Sequence, residues 1–219
     1  MLKGGDFKPE KVIAYEMGYR GQPLPRASLS ISAYYNQYQD LRNAQVTVGG
    51  FPPIPNAGVS SSGYPIMFGN GMEGETYGIE LWGNYQMADW WRLDPGFNWL
   101  HKNLRFKPGA STIGGIEIAG DDPTYQFSLR SSMNLNRGVT LDLDLRSIAS
   151  LPAPASPSYT ELNARIGWAV SERFQVLVRG SNLLHSHHLE FGTTPVPLQV
   201  GANGVPDERS DYIDLQLRL

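Results

Sequence analysis

The feature that most constrains this chain is a strict alternation of apolar and polar residues between Asp122 and Ser150. In its second half, from Val139 to Arg146, every odd position is apolar and every even position is polar. Successive side chains of a β-strand point to opposite faces, so a period of two separates an apolar face from a charged one. The first half repeats the pattern, and Asn136–Gly138 between the halves is typical of a short turn. The stretch is predicted to form an antiparallel hairpin.

The same alternation recurs in nine segments, and none of them shows a convincing helical period. The segments are predicted as strands near residues 11–21, 27–42, 75–88, 91–105, 124–135, 139–150, 158–170, 174–187 and 209–219. No second domain or low-complexity linker is evident. The chain is therefore predicted to be all-β, an antiparallel up-and-down meander.

Composition excludes several classes of protein. The 219 residues suffice for one large β domain or two small ones, and a net charge of -3 with 18% charged residues gives no basic field for nucleic acid. The chain has no cysteine, which excludes a disulfide framework and a Cys-ligated metal. No run approaches the roughly 18 apolar residues of a membrane helix. A membrane barrel stays open, because its strands are never continuously hydrophobic.

The connections between the predicted strands alternate in length. The short ones are Gln22–Arg26, Asp89–Trp90, Asn136–Gly138 and Ser171–Arg173. The longer ones are Asn43–Gly74, Phe106–Pro123, Leu151–Pro157 and Phe191–Glu208. In a meander, alternate connections lie at opposite ends of the sheet, so one end has tight turns and the other has long loops. This sorting is typical of outer-membrane barrels.

The two strand faces differ in charge. One face collects positions such as Ile13, Ile79, Phe127 and Leu217, none of which is Asp, Glu, Lys or Arg, whereas the other collects residues such as Glu80 and Arg130. Lys or Arg facing the middle of a bilayer costs roughly 2–4 kcal/mol, so lipid against the uncharged face would produce this segregation. A half-buried sheet of a soluble protein also alternates and is the competing interpretation.

Aromatic residues favour the membrane interpretation. Those that lie beside the short turns are Tyr19, Trp91, Trp168 and Phe174. Trp and Tyr prefer the headgroup level of a bilayer, so these residues are predicted to form one interfacial girdle.

Two stretches and one enzymatic activity are the candidates for function. His185, His187 and His188 cluster, but the adjacent His187 and His188 would point to opposite faces of a strand, which argues against a shared metal ion. A barrel hydrolase would have only this cluster and His101 as bases, and no local signature marks a nucleophile. The loop Gly49–Gly74 is either a ligand-contacting external loop or an ordered surface loop. No catalytic, cofactor-binding or metal-ligating residue is predicted.

Several motifs together resemble the last part of a TonB-dependent outer-membrane receptor. They are KPEKVIAYEMGYRG from Lys8, AYYNQYQDL from Ala33, ETYGIELWGNYQ from Glu75, and SYTELNARIGWAVSERFQVLVRGSNLLHSHHLEFG from Ser158. Each motif is weak alone, but their order and spacing over Phe7–Leu219 are fairly specific.

The resemblance implies that residues 1–219 are the C-terminal segment of a transmembrane β-barrel in the bacterial outer membrane, with the plug domain absent from this sequence. It implies TonB-dependent uptake of a scarce nutrient, such as a ferric siderophore or cobalamin, bound at the external loops. The implied partners are outer-membrane lipid, and TonB with its energising inner-membrane complex acting through the plug. No cofactor, nucleic acid or enzymatic activity is expected. The alternatives are a small ligand-binding or structural β-barrel without active transport and an outer-membrane hydrolase.

Overall fold

The computed structural model describes residues 7–46, 66–110, 116, 122–152, 155–185, 187–189, 206–208 and 210–217. Nine strands form one sheet: β1 Lys11–Leu24, β2 Ala27–Val46, β3 Ile66–Ala88, β4 Trp91–Phe106, β5 Tyr125–Leu135, β6 Val139–Ile148, β9 Tyr159–Ala169, β10 Phe174–Ser181 and β13 Ser210–Leu217. Two small ribbons pair β7 Leu151–Pro152 with β8 Ala155–Ser156, and β11 His187–Leu189 with β12 Pro206–Glu208. Within the sheet the strands follow one another in chain order. The prediction of an all-β antiparallel meander is confirmed.

The predicted strand positions are nearly right, with two corrections. β3 begins at Ile66, so residues 66–74 of the predicted loop belong to a strand and the connection from β2 covers residues 47–65. Its glycines allow this, because a Cβ at Gly71 would lie 2.6 Å from the Asn43 side chain. The strand predicted at 174–187 ends at Ser181, because Asn182 adopts a left-handed conformation with φ of 53°.

The register keeps each class of side chain on its own face. Leu129 pairs with Leu145, and Arg130 pairs with Asp144, across β5 and β6. Asp142 pairs with Arg165 across β6 and β9. A slip of one residue would exchange the two faces, so this pairing fixes which residues meet water.

The uncharged face has almost no protein cover among the residues with described side chains. Only Met72, Ala149 and Leu177 are buried hydrophobic residues in that set. Trp168 is 49% exposed and Ile166 is 47% exposed. A half-buried sheet of a soluble protein would cover these side chains, so the described chain shows an unpacked apolar face.

Contacts divide the chain into two compact units. Unit 1 comprises residues 1–16, 34–77 and 101–121, and unit 2 comprises residues 17–33, 78–100 and 122–219. Among the described residues of both units, no helix has the length and hydrophobicity needed to cross a membrane.

Candidate functional site

The charged face of unit 2 carries a ladder of ion pairs between neighbouring strands. Arg165 Nη1 lies 2.9 Å from Asp142 Oδ2, and the Asp142 side chain is 15% exposed. Arg146 Nη2 lies 2.6 Å from Glu161 Oε2, and the Glu161 side chain is 8% exposed. The side chains of Arg146 and Arg165 are 46% and 39% exposed, so these ion pairs are open to solvent. Such a surface suits a hydrated interior, because a dry one would impose a large desolvation cost on each ion.

Asparagine side chains tie the ladder to the end of β10. Asn163 Nδ2 donates to Glu161 Oε1 at 2.6 Å, and Asn163 Oδ1 accepts the backbone N–H of Asn182 at 2.8 Å. The second contact holds the left-handed turn that ends β10. Polar contacts on this face therefore decide where a strand stops.

A tryptophan lies among these charged groups. Trp82 has the even parity of the polar face, is 56% exposed, and lies over Gly96, where a Cβ would come within 2.5 Å of the indole. Trp82 lines a concavity of about 560 Å³ together with Arg130, Asp144 and the ladder residue Arg146. An indole face beside paired charges can bind planar or polar groups reversibly. It provides no activated nucleophile for covalent chemistry.

The predicted girdle residues of unit 2 lie on the uncharged face. Trp168 and Tyr19 are exposed. Trp91 stacks beside Trp90 with ring centroids 5.9 Å apart, and its Nε1 donates to Ser131 Oγ at 2.9 Å. Each indole thus combines an apolar body with a polar tip, the combination that favours a membrane interface. Their assignment to an interface stays a prediction.

Unit 1 contains a second aromatic group, which crosses four strands. Ring centroids are 6.3 Å apart for Tyr15 and Tyr35, 6.4 Å for Tyr35 and Tyr77, and 4.7 Å for Tyr77 and His101. These four residues, the aromatic row, lie side by side and therefore on one face.

A carboxylate lies just beyond the aromatic row. Tyr35 Oη donates to Glu75 Oε2 at 2.6 Å, and Asn103 Nδ2 donates to Glu75 Oε1 at 3.4 Å. Each oxygen of the Glu75 carboxylate thus accepts one hydrogen bond from a neighbouring strand.

Further along the same strands, lysines gather around Asp40. Lys107 Nζ lies 2.6 Å from Asp40 Oδ1, and Lys11 Nζ lies 3.7 Å from Asp40 Oδ2. Asp40 is thirteen residues beyond Ala27, the start of β2, which is more than the about 9–11 residues that a tilted strand would need to cross a bilayer. The hydrogen bond from Lys107 is the largest influence that lowers the pKa of Asp40, and the charges of Lys107, Lys11 and Lys8 add to it. We call Lys8, Lys11, Asp40 and Lys107 the basic cluster.

The histidines weighed from the sequence do not come together in the described structure. His101 belongs to the aromatic row, and His185 is exposed after the end of β10. His187 and His188 pair in register with Glu208 and Asp207, and their side chains lie outside the described set. Among the described residues, no three His, Cys, Asp or Glu side chains converge as metal ligands would. Residues 49–65 of the predicted ligand loop also lie outside the description.

Sequence reasoning missed Trp82 and Asp40. A parity signal was present for Trp82, an aromatic at a position where alternation expects a polar group. For Asp40 there was no such signal, because its role depends on a φ of 58° and on Lys107, which is distant in sequence.

Solved structures with the same fold include two receptors and a transporter. The ferric yersiniabactin uptake receptor FyuA from Yersinia pestis matches with a TM-score of 0.63 and 18% identity, over 95% of this chain and 30% of that one. The copper transporter OprC matches with a TM-score of 0.67 and 14% identity, over 97% and 33%. The pyoverdine receptor FpvA from Pseudomonas aeruginosa PAO1, bound to pyoverdine, matches with a TM-score of 0.66 and 14% identity, over 97% and 30%.

The chain thus spans about a third or less of these proteins' length. No curated protein sequence matches it. The family model described as TonB dependent receptor-like, beta-barrel matches residues 2–183. With the two-faced meander and these structural neighbours, that match shows that the chain belongs to the TonB-dependent receptor β-barrel family.

Proposed function

We propose that this chain is the C-terminal part of the barrel wall of a receptor in the bacterial outer membrane, which takes up a scarce nutrient such as a ferric siderophore or cobalamin. The observation that carries the proposal is the contrast between its faces. Trp168 and Ile166 are exposed on an uncharged side, while Asp142, Arg165 and Glu161 form water-sharing ion pairs on the other. A wall between lipid and a wet lumen needs both properties.

In this mechanism the wall does no covalent chemistry. The nutrient binds at the external loops, and TonB with its energising complex acts on a plug supplied by the remainder of the protein. The ion-paired side chains on the polar face of unit 2 then make weak, reversible contacts with the solute, so they do not hold it tightly. Family membership supports this reading, since the family consists of transport receptors rather than enzymes.

Cysteine labelling tests the wall directly, because the chain has no cysteine of its own. In the complete protein, reconstituted in bilayers, Ile166→Cys should react with a lipid-soluble maleimide and resist a charged, water-soluble one. Asp144→Cys should show the opposite preference. Equal labelling of both positions by the water-soluble reagent would contradict a lipid-facing wall and favour a soluble β-sheet protein.

Uptake tests the receptor function. Cells producing the complete protein should accumulate at least one labelled nutrient from a panel of ferric siderophores and cobalamin. Accumulation should disappear when TonB is removed or when the proton gradient is collapsed. Accumulation that survives both treatments would indicate a passive barrel, and correct membrane insertion without any uptake or binding would indicate a structural one.

A further inference from the structure

We propose that the concavity beside Trp82, on the polar face of unit 2, binds a neutral sugar ring and that the indole is the surface on which the ring stacks. The inference rests on the proposed function, because it requires this face to line a hydrated lumen. It adds the chemical class of one solute that the face binds. All the residues that line the concavity belong to unit 2.

Two neighbouring rows of paired residues surround the concavity. The strand register places the first row across β4, β5, β6 and β9 as Asp94, Arg130, Asp144 and Asn163. The second row lies two residues further along each strand on the same face and consists of Gly96, Ser128, Arg146 and Glu161. The second row begins with a glycine and a serine, so it leaves room at β4 and β5, and the Trp82 indole enters this room over Gly96.

Trp82 presents a ring surface to this space. Its atoms Cζ3 and Cε3 lie 2.5 and 2.8 Å from the position that a Cβ on Gly96 would occupy, so the six-membered part of the indole lies against the backbone of β4. The residue is nevertheless 56% exposed. The face of an aromatic ring is electron-rich. The C–H groups on the flat side of a pyranose ring are weakly positive, so they attract an indole face that water does not screen.

The charged groups beside the indole can form hydrogen bonds with hydroxyl groups. Arg130 Nε lies 3.7 Å from Asp144 Oδ1, which is too far for a hydrogen bond. Their side chains are 56% and 51% exposed, so N–H donors and carboxylate acceptors are both open to a ligand. Neighbouring strands lie about 4.7–4.9 Å apart. Because a hydroxyl both donates and accepts, two hydroxyls of one sugar ring can accept from Arg130 and donate to Asp144.

The balance of charge favours a ligand without net charge. Each carboxylate that lines the concavity faces one guanidinium: Asp94 faces Arg92 at 3.0 Å, Asp144 faces Arg130 at 3.7 Å, and Glu161 faces Arg146 at 2.6 Å. Three positive and three negative charges cancel. An anion that approaches any of these arginines therefore also approaches a carboxylate that repels it, whereas a polyhydroxylated neutral ring meets no such repulsion.

Binding of cellobiose to the complete protein tests the site, because its glucose rings have flat C–H faces ringed by hydroxyls. The protein is kept in lauryldimethylamine oxide micelles, since a detergent with a sugar headgroup would compete. Affinities are measured by saturation-transfer NMR titrations of the ligand. Cellobiose should bind, and sorbitol, which carries its hydroxyls on a flexible open chain, should bind about tenfold more weakly. Equal binding of the two would overturn the stacked ring.

Variants locate the binding. Trp82→Ala should weaken cellobiose binding about tenfold, and Trp82→Phe, which keeps an aromatic face, should restore part of the affinity. Arg130→Gln and Asp144→Asn should each weaken binding about fivefold, because each removes a charge-assisted hydrogen bond. Trp168→Ala is the matched control: this tryptophan of unit 2 is 49% exposed on the uncharged face, and its loss should leave the affinity unchanged. Unaltered binding by Trp82→Ala would overturn the site.

Three further results separate this inference from the proposed function. If the protein inserts into membranes and accumulates another nutrient but does not bind cellobiose, the sugar site is wrong and the proposed function stands. If the unmodified protein does not insert, which heat-modifiable migration on gels would reveal, the proposed function is wrong. If salicylate binds at Trp82 more tightly than cellobiose, the site selects an aromatic anion and the neutral sugar is the wrong ligand.

Discussion

An arginine introduced on the uncharged face would test most sharply which side of the sheet meets lipid. Phe127 in β5 pairs with Phe97 in β4, and Phe97 lies between Trp91 and His101, six residues from one and four from the other. This is close to the middle of the spanning length. Phe127→Arg therefore places a charge near the bilayer midplane, where the cost is about 2–4 kcal/mol.

The neighbouring residue provides the matched control. Gln126 is exposed and pairs with Asn98 and Ile148, so it has the opposite parity at the same level. Gln126→Arg should change the free energy of unfolding by no more than about 0.5 kcal/mol, because a substitution on a water-exposed surface removes few contacts. Phe127→Leu should cost less than about 1.5 kcal/mol and separates the loss of the ring from the gain of charge.

The assay is reversible folding of the complete protein into lipid vesicles, with the free energy of unfolding taken from guanidinium titrations. The free energy of unfolding of Phe127→Arg is expected to be about 2–4 kcal/mol lower than that of Gln126→Arg. If the two arginine variants were equally stable, or if Gln126→Arg were the weaker one, the assignment of lipid and water to the two faces would be wrong.

Three further predictions concern individual contacts. Gly96→Ala should lower the free energy of unfolding by about 1–3 kcal/mol, because its Cβ would meet both Ser128 Oγ and the Trp82 indole at 2.5 Å. Adding Ser128→Gly and Trp82→Ala together should recover part of the loss in denaturant titrations, and no recovery would contradict these contacts. Arg165→Met should lower the free energy of unfolding by about 1–2 kcal/mol, because it leaves Asp142 unpaired. The double variant Arg165→Met with Asp142→Leu should be closer in stability to the unmodified protein, and additive losses of the two single variants would argue against the pair. Because the pKa of Asp40 is lowered in the folded state, its stabilisation is present above the unfolded pKa of about 4 and is lost as pH falls through the folded pKa. Asp40→Asn should therefore reduce the fall in the free energy of unfolding between neutral and acid pH. An unchanged pH dependence would contradict this.

The wall could be predicted from sequence because its determinants are local. Alternation between Val139 and Arg146 fixes both the strand and its faces, and the pairing of Asp142 with Arg165 follows once the hairpin register is set. The turn at Asn136–Gly138 is similarly marked by its own residues. Each of these features is determined by residues close together in the sequence or on the neighbouring strand of the meander.

The unpredicted features depend on contacts between residues distant in sequence. β3 extends back to Ile66 through a glycine-rich stretch that reads as a loop, because Asn43 Oδ1 accepts the Gly71 N–H at 2.8 Å. The basic cluster depends on Lys107 reaching a residue 67 positions earlier. A net charge of -3 for the whole chain likewise gave no sign that Lys11 and Lys107 meet at Asp40.

Edge strand β1 indicates what must pair with this sheet in a bilayer. Its residues from Lys11 to Arg20 are exposed on both faces, and β2 is its only neighbour in the described sheet. Unpaired backbone N–H and C=O groups cost several kcal/mol each in hydrocarbon, so a partner strand must cover this edge. Because Tyr15 continues the aromatic row 6.3 Å from Tyr35, the partner should carry an aromatic or apolar side chain at the level of Tyr15. At the level of Glu16 it should carry a polar one, since Glu16 lies on the opposite, charged face.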